Sequence, residues 1–177
     1  LLGRMAWSRL NGLILISGAF GMFDKKIAID CGGYNHRTVG EDMELVIRMR
    51  RYMEERKKKY RVVYLPDPLC WTEAPSSLKI LSKQRNRWTR GTAETLWIHR
   101  KLIFNPRYHF LGMISMPFWF LFEWLAPIVE MTAFLYLIMM AFLGILNLEL
   151  FITLFCLIYV FAIMYSTAAI LFEELSF

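Results

Sequence analysis

The chain has 177 residues, 21 of them basic and 15 acidic, for a net charge of +6, and 56% of its residues are hydrophobic. All 21 Lys and Arg residues fall between Arg4 and Arg107, against 10 acidic residues there, a local balance of +11; from Tyr108 to Phe177 only Glu123, Glu130, Glu149, Glu173 and Glu174 carry charge. A water-soluble domain scatters both signs over its surface and cannot hide so much apolar area, so a wholly soluble protein is excluded. The composition predicts a basic front in water and a back half in the lipid bilayer. The positive-inside rule puts the front in the cytoplasm, in a multi-pass protein of the cell membrane. Both ends, Leu1-Leu2 and Phe177, read as cut. Cys31, Cys70 and Cys156 have no CxxC spacing, which leaves small buried thiols in a reduced compartment as the expectation.

In chain order, Leu13–Phe23 (LILISGAFGMF) reads as a strand and turn whose glycines allow close backbone approach. Asp24–Cys31 reads as a short helix closed by Gly32-Gly33. Glu41–Lys59 reads as a helix with Met43, Val46, Met49 and Met53 on one side, and Glu54 and Glu55 placed to pair with Lys58 and Lys59. Arg61–Leu65 (RVVYL) is a short β-type run ended by Pro66-Asp67-Pro68. A second helix starts after Pro75-Ser76-Ser77, runs to about Arg100, and is broken by Asn105-Pro106. Helix, strand and helix in this order predict part of an α/β domain over residues 1–107. Beyond it, Phe110–Leu146 is too long for one span of roughly 20 residues. An interfacial helix over about 110–126, with Trp119 and Trp124 at headgroup level, and spans over about 127–146 and 150–172 are expected, joined by a tight Asn147–Glu149 loop.

Three constellations carry chemistry. Gly40-Glu41-Asp42 stands at a helix start. It fits a Thr38–Glu41 capping box with acids favoured by the helix dipole, or a general base, Asp42, where a loop meets a rigid helix. In Gln84-Arg85-Asn86-Arg87-Trp88, positions 84, 87 and 88 share one helix face and offer an amide, a phosphate-matching guanidinium and a flat aromatic ring. The same face suits an amphipathic helix on the membrane, with a snorkelling Arg and an interfacial Trp. Trp71-Thr72-Glu73-Ala74-Pro75 by itself is an ordinary loop before a helix.

Taken jointly, the order SGAF, GGY, GED, TEAP, QRNRW and then apolar spans resembles the processive, membrane-integrated family 2 glycosyltransferases, such as cellulose, hyaluronan and poly-N-acetylglucosamine synthases. The resemblance covers essentially the whole chain. It implies the C-terminal part of a GT-A-type α/β catalytic domain followed by an all-α membrane region. It implies Asp42 as the base for the acceptor hydroxyl, with Glu41 beside it in the binding site. Gln84, Arg87 and Trp88 would close the site over the nucleotide diphosphate and hold the acceptor, while Ser17, Gly18 and Ala19 would form a loop beneath the acceptor. Glu73 would stand behind the site in the loop leading to the QxxRW helix. The implied reaction is inverting transfer from a nucleotide-sugar, UDP-linked, to a growing glycan, coupled to export across the bilayer and open to accessory membrane subunits. A divalent metal, Mg or Mn, is implied for the full-length enzyme, with ligands mostly before Leu1, so this stretch alone should be inactive. Two rivals share some of these features: a non-processive transferase acting on a membrane lipid, and a non-catalytic channel or scaffold subunit docking its basic front to anionic lipid. Nucleic acid is not an expected partner, because the basic residues flank membrane-type sequence rather than a reading motif.

Overall fold

The computed structural model describes residues 2–16, 20–66 and 70–174. They form two compact units, Gly3–Ala126 and the apolar segment from Pro127 onward.

In the first unit α1 (Leu2–Arg9) is followed by α2 (Lys25–Asp30), α3 (Glu41–Glu55) and α4 (Leu78–Ile98). The short polar side chains of Asp24 and Ser77 accept the N–H groups of Ile27 and Ile80 and start α2 and α4. Gly32 and Gly33 close α2 at φ of 93° and 68°, a region glycine enters without strain, and Gly33 N–H returns to Ala28 C=O at 2.8 Å. α3 buries Met43, Leu45, Val46, Ile47 and Met53. It stops at Glu55, short of Lys59, because Lys57 turns left-handed at φ 54° and the N–H groups of Lys57 and Lys58 return to Glu54 and Met53. The expected Glu54–Lys58 and Glu55–Lys59 pairs therefore do not form. Glu55 instead accepts from Arg51 Nε at 2.8 Å and Tyr108 Oη at 3.0 Å, and Glu54 accepts from Tyr60 Oη at 2.8 Å.

No strand occurs among the described residues, so the α/β part of the expectation is not seen there. Residues 12–16 and 61–66 lack a backbone ladder, and side chains meet their polar groups instead. Asn11 Oδ1 and Ser8 Oγ accept the N–H groups of Val62 (3.0 Å) and Tyr64 (2.9 Å), alternate residues on one edge of the second run. Arg50, buried on α3, donates to Leu13 C=O at 2.7 Å and to Asn11 C=O. Burial pushes the Tyr60 hydroxyl up to about 12, against the opposing pull of the Arg50 guanidinium. An apolar cleft of about 580 Å³ opens between these runs and α3, lined by Leu13, Leu15, Val46, Met49, Met53 and Val62.

The apolar stretch that composition assigns to lipid begins with one face in the protein core and Met113, Ile114, Leu121 and Phe122 exposed on the other. Helical turns over 111–125, several of them wide π turns, bury Leu111, Met116 and Trp119 against Ile14, Met43, Ile47 and Leu96. Trp7 of α1 packs on Phe118 with ring centres 4.7 Å apart. Trp119 is thus a core side chain rather than a headgroup anchor, and Trp124 is half-buried against the same cluster. The shift has a physical reason: α3 and α4 leave an apolar face that the next apolar segment in the chain covers.

In the second unit α5 (Ala126–Phe142) and α6 (Leu148–Glu174) are joined by a turn through Gly144 at φ 67°, and Asn147 Oδ1 accepts Leu150 N–H at 3.0 Å. By length and composition, Leu111–Phe142 and Leu148–Leu171 are each long and apolar enough to cross a membrane. Their large hydrophobic side chains from Ile128 onward are exposed, which water does not tolerate over such an area and lipid does. Cys70 and Cys156 are exposed and Cys31 is partly buried, so the expected burial of the thiols does not hold.

Candidate active site

The GED turn opens α3. Glu41, Asp42 and Glu44 all lie in its first turn, where unpaired N–H groups and the helix dipole favour negative charge. The expected capping box is replaced: Gly40 occupies the N-cap without a side-chain bond, and Thr38 Oγ1 accepts Gly40 N–H at 3.2 Å. Asp42 is partly exposed; its Oδ1 accepts Met43 N–H at 2.7 Å, and its Oδ2 has no partner among the described residues. Glu41 is exposed.

α4 carries Gln84, Arg87 and Trp88 on its N-terminal half, with Gln84 partly buried and both others exposed. The Arg85 guanidinium lies 4.9 Å from the Trp88 ring centre and covers one of its faces. Glu73 is exposed in the preceding loop. Ser17, Gly18 and Ala19 lie outside the described residues.

The C-terminal half of α4 crosses the start of α3 at two glycines. A Cβ built on Gly91 would stand 2.9 Å from Gly40 Cα, and one on Gly40 would stand 2.9 Å from Gly91 C=O, so only glycine fits at either position. By helix rise, Trp88 and Arg87 start roughly 4.5 and 6 Å along the axis from that crossing. The structure therefore brings the GED turn and the QxxRW helix together through their backbones. It forms no hydrogen bond between Asp42 and Gln84, Arg87 or Trp88 among the described residues.

Two polar contacts that sequence reasoning missed hold this crossing. Glu94 Oε2 accepts Val39 N–H at 3.0 Å and Thr38 Oγ1–H at 3.2 Å, while its Oε1 takes Arg90 Nε–H at 2.7 Å. The Val39 N–H, then Arg90, hold its carboxyl below the usual carboxylate range. Further along, Glu44, 1% exposed, meets His99 Nε2 at 3.1 Å and Arg48 at 2.8 Å. Burial pulls Glu44 upward, but the His99 and Arg48 contacts outweigh it and leave its carboxyl below the ordinary value. Arg48 also donates to Cys31 C=O at 2.8 Å, which ties the α2 turn to the same cluster. The available signals were the i,i+4 pairs Glu44–Arg48 and Arg90–Glu94 and the lone Gly91 inside a helix. Their partners across the crossing had no sequence signature.

Among the described residues no three His, Cys, Asp or Glu side chains come together as a metal site. The resemblance places the ligands of the implied divalent ion mostly before Leu1, and no step below runs through one.

An acid-rich helix start locked to a Gln-Arg-Trp helix, leading into lipid-length apolar helices, agrees with the comparison to known families. The glycosyl transferase family group 2 matches residues 2–169, and the chain belongs to that family. Among individual proteins it is similar to poly-beta-1,6-N-acetyl-D-glucosamine synthase of Staphylococcus aureus (strain COL), 33% identical over 81 residues, 46% of this chain and 18% of that protein. It is also similar to probable glucomannan 4-beta-mannosyltransferase 3 of Oryza sativa subsp. japonica, 30% identical over 107 residues, 60% of this chain and 17% of that protein. The chain thus spans less than a fifth of the length of these relatives. No solved structure matches it.

Proposed function

We propose that this chain supplies the acceptor-side catalytic residues and two membrane helices of an inverting polysaccharide synthase. A GT-A-type α/β domain would be completed by chain outside this sequence. The acceptor hydroxyl oxygen attacks the anomeric carbon of a UDP-linked sugar as Asp42 takes the hydroxyl proton. The bond from that carbon to the diphosphate breaks, and its electron pair leaves with the nucleotide. Arg87 faces the diphosphate charge with a planar fork, Gln84 adds an amide beside it, and Trp88 offers its uncovered face to the acceptor sugar. Glu41 and the Ser17–Ala19 loop would flank the acceptor. The basic front faces the cytoplasm, where nucleotide-sugars are made, and the apolar helices line or support the polymer's way out.

The observation that carries this reading is the Gly40–Gly91 crossing, which gives an acid, a guanidinium and an aromatic ring one shared anchor. The test is Asp42→Asn in the full-length enzyme in membrane vesicles. The amide keeps the shape but takes no proton, so transfer should fall by roughly 100-fold or more while donor binding survives. Turnover close to the parent's would remove Asp42 as the base. A product of one sugar on lipid, rather than a long polymer, would replace polymer synthesis by lipid glycosylation.

A further inference from the structure

We infer that Glu94 is a positioning residue for transfer: its carboxylate clasps the turn that presents Asp42 and so fixes that turn against the helix carrying Gln84, Arg87 and Trp88. The inference rests on the site reading above and adds a residue that touches neither substrate.

Three observations support it. Gly40 starts α3 with no side chain of its own to cap the helix, so the orientation of the GED turn has to be set from elsewhere. Glu94 sets it from α4, through Val39 N–H and the Thr38 hydroxyl, and that hydroxyl in turn accepts Gly40 N–H, giving an unbroken polar chain into the turn. The adjoining Gly40–Gly91 contact permits close approach but is non-directional, so two smooth backbones can slide on it. Hydrogen bonds to a carboxylate are directional and define one register. Arg90, one turn earlier on α4, holds the Glu94 carboxylate in place.

Glu94 lies at the edge of the crossing. The apolar packing of Met43, Ile47 and Leu96 and the Glu44–His99 contact do not involve it. Its removal should therefore leave the fold standing and loosen the register, which separates a positioning role from a structural one.

The experiment uses the full-length enzyme in membrane vesicles, with whichever of UDP-N-acetylglucosamine and UDP-glucose the parent turns over. Glu94→Ala should lower kcat roughly 10- to 100-fold, with donor KM within about twofold of the parent, because sub-ångström to ångström misplacement costs that much. Glu94→Gln should keep more activity than Glu94→Ala, since its amide oxygen still accepts Val39 N–H. Thr38→Val should lower kcat in the parent and have no further effect in Glu94→Ala, as members of one unit are non-additive. A Glu94→Ala enzyme with the parent's kcat would overturn the inference. So would effects of Thr38→Val and Glu94→Ala that simply multiply, or losses in the Ala and Gln variants that both track a fall in melting midpoint. Asp42→Asn is run alongside. If it is inactive while Glu94→Ala is normal, only the clasp fails; if it is active, the site reading itself fails.

Discussion

Gly91→Ala isolates the geometry of the crossing better than any change to a polar group. The added Cβ would meet Gly40 Cα and N, each at 2.9 Å, where comfortable carbon contacts lie at about 3.5–4.0 Å. Both atoms are backbone, so neither can swing aside, and helix and turn must part by roughly 0.6–1 Å. In a helix interior alanine is favoured over glycine by about 1 kcal/mol, and overpacking costs roughly 1–3 kcal/mol. The two nearly offset, leaving a net loss of about 0–2 kcal/mol, too small to unfold a domain. The catalytic cost is larger, because a displacement of about 1 Å between Asp42 and the Arg87–Trp88 pair is worth up to roughly 100-fold in rate. Sugar incorporation by vesicles carrying equal amounts of parent and Gly91→Ala enzyme measures the rate. Melting of the detergent-solubilised proteins measures stability. A variant with full activity and a raised melting midpoint would refute the reasoning, since helix propensity would then have acted with no steric opposition.

Arg87→Lys should cost roughly tenfold or more in transfer, because a point charge does not replace a planar fork on a diphosphate, and a normal steady-state rate would argue for a purely interfacial helix. Glu44→Gln should destabilise the detergent-solubilised chain by about 1–3 kcal/mol at neutral pH, as the buried carboxylate serving His99 and Arg48 is lost. The folded-state pKa of Glu44 lies below its ordinary 4.5, so its contribution is complete above 4.5 and is lost as pH falls through the lower folded value. The parent's melting midpoint should therefore fall more steeply below pH 4.5 than that of Glu44→Gln, and parallel curves would contradict the pairing. In a background lacking Cys31, Cys70 and Cys156, a cysteine at Asn147 should react with an impermeant reagent on intact cells, and one at Lys58 only after permeabilisation. Outside labelling at 58 would reverse the proposed orientation.

Much of the local structure is legible in the sequence, because its causes are local. Asp24 and Ser77 start helices by accepting N–H groups three residues on, and Gly32-Gly33 ends one by entering positive φ. Lys57 was not legible as a helix stop, since lysine has no bias toward φ 54° and only the returning hydrogen bonds reveal it. The runs at 12–16 and 61–66 look like strands in sequence, but a strand exists only with a neighbour, and side chains from Ser8, Asn11 and Arg50 stand in for one here.

The sequence alone determined the charge division, the two long apolar helices and the motif residues at 42, 84, 87 and 88, for each is written in residue type and spacing over a few turns. The tertiary structure decided the rest. Residues 111–125 carry an apolar pattern that lipid and a protein core accept equally, and only packing against Ile14, Met43 and Leu96 assigns one face, with Leu111, Met116 and Trp119, to the core, while Met113, Ile114 and Phe122 stay exposed. Glu44 faces His99 across 55 positions and Glu94 faces Val39 across the same separation, distances over which composition and periodicity carry no signal. The meeting of Gly40 with Gly91 is likewise a property of two surfaces, each of which lacks a side chain where the other must pass.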